Sequence, residues 1–307
     1  MTKEEIEEII KNIIREKLTQ NQNYILGATK KYQVLTKRLE KLMLQAMRYI
    51  IESIVNSDFE IIGNEVEFKT NKQYPPMEIK LEDGKRIEIT GKIDRIDLAK
   101  GKEGDYIRII DYKSSLKNID LNEVVAGLQI QLLTYLDAIT SKQENLIPAG
   151  VLYFNLIDPI LKADRNKTDE EIEQEIKKQF KMQGLILADV NVVRMMDKTL
   201  EKGTSNIIPA YLDQNQNISE ARSSVVTKEQ FKTLQKHINK VIKEIAKEIY
   251  SGEIAIKPYY NQKKKKTPCD YCEYKSICNF DPNCNSYYYI PNKAKEQILE
   301  EIKENEK

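Results

Sequence analysis

Two short apolar runs, each carrying an aspartate near its end, constrain the fold of this chain more than any other feature. The first run is GKID at 91–94 and the second is IIDYK at 109–113. Because side chains alternate across a β-strand, Asp111 and Lys113 are expected on the same face. If the two runs pair as neighbouring strands, Asp94 joins them, and the sheet carries a compact acidic pocket with one cation beside it.

An acidic pocket of this kind suits a divalent metal, which binds carboxylate oxygens and lowers the pKa of a bound water. An aspartate two residues before a lysine is by itself a weak signal, since such pairs are common on solvated strand faces. The context strengthens it, because the run 106–110 is apolar except at Arg108, as expected for an interior strand. Burying Asp111 and Lys113 at the end of such a strand is costly unless they contact each other or a metal.

Further candidate side chains lie on either side of these runs. Glu65 and Glu67 occupy an upstream extended segment and share one strand face, so spacing does not separate their roles. Downstream, Gln131 and Tyr135 lie one helical turn apart and therefore on one helix face. On spacing alone, the second pair is an ordinary surface pair.

The order Glu65, Asp94, Asp111-x-Lys113 and Gln131-x-x-x-Tyr135 resembles the PD-(D/E)xK nuclease core of the RecB-like group. The segments GKIDRID at 91–97, IDYKSS at 110–115 and GLQIQLLTYLD at 127–137 resemble more closely the C-terminal nuclease domain of AddB-type subunits of AddAB helicase–nucleases. This resemblance covers roughly residues 57 to 290 and rests on several motifs together.

The resemblance implies a metal-dependent deoxyribonuclease that hydrolyses DNA phosphodiester bonds. It implies that Mg²⁺ or Mn²⁺ is bound by Asp94, Asp111, the backbone carbonyl of Tyr112 and, as a further ligand, Glu65. By the same resemblance, Lys113 orients or helps to deprotonate the attacking water, while Gln131 and Tyr135 position the DNA or the lysine.

The resemblance also implies a partner. Subunits of this type form a complex with an AddA-type helicase–nuclease subunit, and the complex processes DNA double-strand breaks for recombination. Single-stranded DNA ends reach the nuclease from an unwound duplex. The chain has no G-x-x-x-x-G-K-[ST] phosphate-binding loop, so we expect the motor to lie chiefly in that partner.

All four cysteines of the chain fall within sixteen positions, as Cys269, Cys272, Cys278 and Cys284. Because the N-terminus lacks the apolar segment of a secretory signal, this clustering favours a metal or cluster site over disulfides. The spacing leaves zinc and an iron–sulfur cluster open. The resemblance favours a four-iron (4Fe-4S) cluster, because 269–278 matches the C-x-x-C-x5-C triplet of the family.

The fourth cluster ligand departs from the family pattern. In the family it is a cysteine far upstream, but here no cysteine precedes Cys269. Either Cys284 takes the fourth place, or the chain is a fragment that begins after the missing ligand. We favour the fragment.

Element patterns predict an α/β fold in which helices flank a mixed central sheet. Together with the resemblance, they predict a helical lead-in at 1–56, a PD-(D/E)xK restriction-endonuclease-like domain at 57–262, a cysteine-rich iron–sulfur segment at 263–290 and a charged helical tail at 291–307. Strands are expected at 59–68, 77–81, 86–98, 106–113 and 150–156. Helices are expected at 3–18, 27–56, 121–140, 169–182 and 227–250, with a loop-rich insert before the last and the tail outside the core.

Charge points to local contacts with DNA. The net charge is only +1, but basic side chains dominate the helix at 27–56 and form an unbroken run at 263–266. Beside a nuclease core, these lysines are expected to contact phosphates. The sole histidine, His237, is expected on the surface. No apolar run approaches membrane-spanning length, so we expect a cytoplasmic protein.

Three alternatives remain open at this point. A stand-alone CRISPR-associated RecB-like nuclease shares the core and the cluster, but it too has an upstream cysteine. A non-catalytic DNA-end binding module is disfavoured by the intact Asp94, Asp111 and Lys113. A plain zinc protein fits the clustered cysteines, and the brown colour of an iron–sulfur protein would distinguish the two.

Overall fold

A mixed β-sheet forms the centre of the protein in a computed structural model that describes residues 3–20, 29–81, 84–141, 143, 145–158 and 167–304. The strands, labelled in chain order, are β1 (Glu60–Phe68), β2 (Met77–Lys80), β3 (Arg86–Ile89), β4 (Gly91–Lys100), β5 (Asp105–Lys113), β6 (Leu146–Asn155), β7 (Gln183–Leu187), β8 (Gly203–Thr204), β9 (Tyr211–Leu212), β10 (Val225–Val226), β11 (Tyr259–Tyr260) and β12 (Tyr288–Tyr289). The helices are α1 (Lys3–Gln20), α2 (Lys30–Val55), α3 (Leu121–Val125), α4 (Gln131–Thr140), α5 (Asp169–Gln179), α6 (Val190–Met196), α7 (Lys228–Ser251), α8 (Lys275–Cys278) and α9 (Lys295–Glu304).

The central sheet has six strands in the order β1-β4-β5-β6-β7-β10. β4 is antiparallel to β1 and β5, whereas β5 and β6 run parallel, so the sheet is mixed. β5 lies in the interior, and its residues from Tyr106 to Asp111 are all buried. The predicted α/β fold with a mixed sheet is confirmed, as is the interior position of the 106–113 strand.

The helix α7 covers one face of this sheet through a regular apolar stripe. Its buried side chains recur every three or four residues, at Phe231, Leu234, Ile238, Ile242 and Ala246. Thr227 and Gln230 form a reciprocal capping box at its start, and Gly252, in the left-handed conformation, ends it. α7 packs against α4, α9 and β6, and α4 packs against β5 and β6.

The predicted strand 86–98 is wrong, because the chain changes sheets at Thr90. β3 pairs with β2 in a separate two-stranded sheet, whereas β4 joins the central sheet. Apolar residues alternate on both sides of the break, at Ile87, Ile89 and Ile93, so the pattern does not mark it.

The predicted helix 121–140 is likewise two helices, α3 and α4. Gly127 between them has a φ of 77°, which is the left-handed region that favours glycine. The apolar spacing continues across this turn, so periodicity alone predicts one helix.

Two predictions about the second half of the chain are also wrong. The expected loop-rich insert contains β7 and α6, and β7 is buried at all but its first position, so it shows no alternation. The tail expected outside the core contributes Ile298, Leu299 and Ile302 to it. A charged outer face hides this narrow apolar stripe in the composition.

Smaller differences concern boundaries and exposure. β6 begins at Leu146, before the predicted 150, and His237 is half-buried on α7 where a surface position is expected. Residues 27 and 28 of the predicted basic helix lie outside the described residues. Among the helices that are described, none combines the length and the apolar composition needed to cross a membrane.

Candidate active site

The ends of β4 and β5 bring the predicted acidic residues together. Arg95 pairs with Ile110 in the antiparallel register, so Asp94 lies opposite Asp111 one residue further along. The side chain of Asp94 reaches across to β5, where its Oδ2 accepts a hydrogen bond of 2.9 Å from the backbone N–H of Tyr112. The predicted pairing of the two runs is therefore confirmed.

Asp111 is buried, at 3% exposure, with a cation beside it. Its Oδ2 lies 2.7 Å from Nζ of Lys113. Burial raises the pKa of Asp111, the charge of Lys113 lowers it, and the charge of Asp94 raises it. Apart from this ion pair, Oδ2 of Asp111 has no hydrogen-bond partner among the described residues, although the atom itself is buried. A buried carboxylate oxygen in this state fits a divalent cation, which prefers such ligands.

The helix α4 supplies the other predicted pair and holds the lysine. Nε2 of Gln131 donates a hydrogen bond of 2.9 Å to the hydroxyl of Tyr135. Oε1 of Gln131 accepts one of 3.4 Å from Nζ of Lys113. A continuous set of polar contacts therefore runs from Asp111 through Lys113 and Gln131 to Tyr135.

Gly91 allows α4 to approach the sheet this closely. A Cβ atom at Gly91 would lie 2.6 Å from the ring of Phe68 and 3.0 Å from the ring of Tyr135. The two rings pack edge to face, with centroids 5.5 Å apart. The glycine in GKID thus has a packing role in addition to its place in the motif.

Glu65 does not join the two aspartates. It has a φ of 55°, its side chain is exposed, and its carboxylate forms an ion pair with Lys92. Glu67, which spacing does not distinguish from it, pairs with Lys69 and Lys72 at 3.0 and 3.1 Å. Over the described residues, no three His, Cys, Asp or Glu side chains form a group that could hold a metal ion.

A buried ionic network lies on the opposite face of β4 and β5. The guanidinium of Arg95 donates two hydrogen bonds of 2.7 Å to Asp97, and Nε of Arg108 donates one of 2.9 Å. Arg108 also lies 4.5 Å above the ring of Phe59. Burial lowers the pKa of Arg108, and the charge of Asp97 opposes this effect. The network links the two strands directly behind the acidic residues.

The sequence motifs do not indicate this network. Its only signal is the spacing of Arg95 and Asp97, two residues apart and therefore on one strand face. The same network reaches Tyr112, whose hydroxyl accepts a long bond of 3.4 Å from Arg95. Tyr112 therefore connects both faces, through its backbone to Asp94 and through its side chain to Arg95.

Tyr153 is another residue that the motifs do not single out. It pairs with Asp111 across the parallel strands β5 and β6, and Nζ of Lys113 lies 6.0 Å from its ring. Burial, followed by the charges of Asp111 and Glu123, raises the pKa of Tyr153 to about 12. Its phenol is therefore neutral at physiological pH.

The four cysteines lie after the central sheet, at Cys269, Cys272, Cys278 and Cys284, and all are free thiols. Cys269 and Cys278 are half-buried, and the other two are exposed. As they are placed, no three of them converge as metal ligands. The arrangement therefore does not fit a cluster without movement of the segment, although the ligand chemistry is suitable.

The fold and the site define the class of protein. The PD-(D/E)XK nuclease superfamily model matches residues 1–279, and the chain belongs to that superfamily. The resemblance found in the motifs is therefore confirmed.

Comparison with individual relatives is more specific than the superfamily match. The chain is 43% identical over 279 residues to a protein of Ruminiclostridium cellulolyticum, with 89% of this chain and 24% of the relative covered. It is 40% identical over 304 residues to one of Thermoanaerobacter sp., with 97% and 26% covered. It is 41% identical over 298 residues to one of Acetivibrio thermocellus, with 95% and 26% covered.

Each of these three relatives is named as a subunit of an ATP-dependent helicase/deoxyribonuclease. The chain spans about a quarter of their length. These similarities agree with the AddB-type resemblance and do not favour a stand-alone nuclease or a plain zinc protein.

Proposed function

We propose that the chain is a metal-dependent deoxyribonuclease module that cuts single-stranded DNA. Its proposed active site lies where the ends of β4 and β5 bring Asp94 and Asp111 together. The observation that carries the proposal is the buried Oδ2 of Asp111, which lies opposite Asp94 and whose one polar contact among the described residues is the ion pair with Lys113. In a PD-(D/E)XK protein, a buried carboxylate oxygen at this position has the chemistry of a divalent-metal ligand.

In this proposal Asp94, Asp111 and the backbone carbonyl of Tyr112 would hold Mg²⁺ or Mn²⁺, which would supply Lewis acidity and lower the pKa of a bound water. Lys113 donates hydrogen bonds to the attacking water and to the phosphate oxygens as charge develops on them. Gln131 keeps the ammonium group of Lys113 in place, and Tyr135 fixes Gln131. Glu65 becomes a further ligand only if it leaves Lys92.

We also propose that the module acts within a larger complex. The relatives named as subunits of an ATP-dependent helicase/deoxyribonuclease support an AddA-type partner that unwinds duplex DNA and delivers a strand. The products would be processed DNA ends suited to recombinational repair.

The cysteines are proposed to hold a 4Fe-4S cluster after the segment rearranges. Support comes from four free thiols within sixteen positions and from the C-x-x-C-x5-C spacing. Iron and acid-labile sulfide measured per chain after anaerobic purification test this proposal, and zinc in their place would contradict it. Cys284→Ser tests the fourth ligand, because it lowers iron content only if Cys284 binds the cluster.

The nuclease is tested by cleavage of end-labelled single-stranded DNA with and without Mg²⁺. Lys113→Ala is expected to lower the cleavage rate by about 100-fold or more, because it removes a cation aimed at the reacting phosphate. Lys100→Ala is a matched control, since Lys100 lies at the opposite end of β4. Equal cleavage by both variants would contradict the proposed site.

A further inference from the structure

A groove of about 690 Å³ begins beside the loop that leaves β5. Lys113 is the last residue of β5, and residues 116–120 of the following loop form one wall. A basic turn at 261–266 forms a second wall. Leu116, the first residue of the wall at 116–120, therefore follows the proposed catalytic lysine by three positions in the sequence.

The basic turn is firmly attached to the nuclease core. Asn261 and Lys266 exchange backbone hydrogen bonds of 2.9 and 3.3 Å, which close the turn. Nδ2 of the buried Asn261 donates a bond of 2.7 Å to Oε1 of Glu123 on α3. Oε2 of Glu123 accepts a bond of 2.5 Å from Gln129, so the carboxylate has partners on both oxygens.

One lysine of the run at 263–266 points inward and neutralises the acidic floor of the groove. Nζ of Lys264 lies 2.7 Å from Glu123 and 3.1 Å from Asp120. Its role is therefore to hold the turn against α3. The other lysines of the run do not share this role.

Three lysines lining the groove are exposed and form no ion pair within the described part of the chain: Lys117, Lys263 and Lys266. The backbone of Lys117 is fixed by the buried Asn155 at the end of β6, through bonds of 2.9 and 3.0 Å to its N–H and carbonyl. Lys265 is equally exposed but does not line the groove. Within the run at 263–266, Lys264 therefore holds the turn, Lys263 and Lys266 line the groove, and Lys265 does neither.

We propose that this groove binds the phosphate backbone of a single-stranded DNA and leads it to Asp111 and Lys113, with Lys117 on one wall and Lys263 and Lys266 on the other. The inference rests on the proposed nuclease function and identifies the path of its substrate. Lysines on both walls neutralise successive phosphates. Leu116, which is 76% exposed, offers an apolar surface to an unpaired base. A duplex hides its base faces and would not contact such a surface.

The test is equilibrium binding of a fluorescent single-stranded oligonucleotide to the full chain in EDTA, which prevents cleavage, at several salt concentrations. Lys263→Ala and Lys266→Ala are each expected to weaken binding about three- to tenfold. Each should also make the negative slope of log K against log salt shallower by about 0.7. Lys117→Ala combined with Lys263→Ala is expected to reduce it by about 1.4, because contacts from both walls are lost. A thermal melt of each variant excludes unfolding as the cause.

Lys265→Ala is the matched control, since it removes the same charge from the same turn but outside the groove. Its slope is expected to change by well under about 0.7. If Lys265→Ala lowers the slope as much as Lys263→Ala, the net charge of the run binds DNA and the groove does not. Unchanged slopes in all variants would overturn the proposal as well. A duplex oligonucleotide that binds as tightly, with the same losses, would overturn the assignment to single strands.

The cleavage and binding experiments distinguish failure of the groove proposal from failure of the nuclease proposal. Loss of cleavage in Lys113→Ala together with unchanged slopes in the groove variants overturns only the groove. Normal cleavage by Lys113→Ala overturns the proposed catalytic site, whereas the salt slopes, measured without cleavage, still decide the groove.

Discussion

At the scale of single residues, Asp111 illustrates how burial and charge together prepare a ligand. A carboxylate in an interior strand is destabilised by the loss of water and is stabilised only in part by the ammonium of Lys113. The divalent cation that the proposed chemistry requires would supply further stabilisation. Glu65 differs, because it is exposed and already paired with Lys92.

Substitutions of these carboxylates should therefore differ in effect. Asp111→Asn removes a buried ligand and is expected to lower Mg²⁺-dependent DNA cleavage by about 100-fold or more. Glu65→Gln removes an exposed group and is expected to lower it by less than about tenfold. Initial cleavage rates at saturating Mg²⁺ measure both. A larger loss in Glu65→Gln would make Glu65 a principal ligand, and circular dichroism establishes that both variants fold.

Asp137 on α4 predicts a pH dependence of stability away from the site. Burial raises the pKa of Asp137, and a hydrogen bond from Asn239 opposes this effect only in part. Because the folded-state pKa lies above the unfolded value, the folded state binds the proton more tightly. Folding is therefore favoured by this group in acid, and that contribution is lost as pH rises through the folded-state pKa.

Asp137→Asn is expected to increase the free energy of unfolding at pH 7. The new amide still accepts from Asn239, and its NH₂ group can donate to Oδ1 of Asn239, which lacks a partner among the described residues. The advantage over wild type should shrink as pH falls below the folded-state pKa, where the wild-type carboxyl is neutral. Urea unfolding of both proteins at pH 7 and in mild acid measures the difference, and a pH-independent difference would contradict the argument.

At the scale of elements, the sequence predicts a strand more reliably when the apolar composition of the strand agrees with its position within the sheet. β5 is apolar on both faces and is an interior strand, and alternation correctly places Asp111 and Lys113 together. β7 escapes prediction, because a short strand buried on both faces resembles any apolar stretch. The break between α3 and α4 escapes it as well, since Gly127 interrupts the backbone without interrupting the apolar spacing.

Within the site, the sequence predicts which residues meet along adjoining strands but not how bulges and loops divert a side chain. Asp94 follows from the alternation and pairing of β4 and β5. The ion pair of Glu65 with Lys92 depends on a positive φ that no residue pattern marks, because glutamate rarely adopts it. The division of the run at 263–266 depends on contacts with α3, which are distant in sequence.

The contact between α4 and β4 predicts the effect of adding one methyl group. Gly91→Ala places a carbon 2.6 Å from the ring of Phe68, which must move together with Tyr135. We expect a loss of about 1–3 kcal/mol in the free energy of unfolding, together with slower cleavage because Tyr135 supports Gln131. Combining it with Phe68→Leu should recover part of both. No recovery in the double variant would place the clash elsewhere.

At the scale of the whole molecule, one core joins the chain from α2 to α9. The C-terminal helix, which composition alone assigns to solvent, packs on α7 and α3 through three apolar side chains. α3 carries Glu123, to which the basic turn is attached. Loss of α9 packing should therefore loosen the wall of the groove as well as the core.

Substitution of Ile302 tests whether α9 is part of the core. It is 2% exposed, so Ile302→Ala is expected to lower the free energy of unfolding by about 2–5 kcal/mol, through lost burial and the cavity left behind. Ile254→Ala is the matched control, because Ile254 is 90% exposed and its loss should change stability by less than about 0.5 kcal/mol. Urea denaturation of the two variants provides the comparison. If Ile302→Ala is as stable as the control, α9 is not part of the cooperatively unfolding core. The groove wall would then be attached to the core through α3 and the basic turn alone.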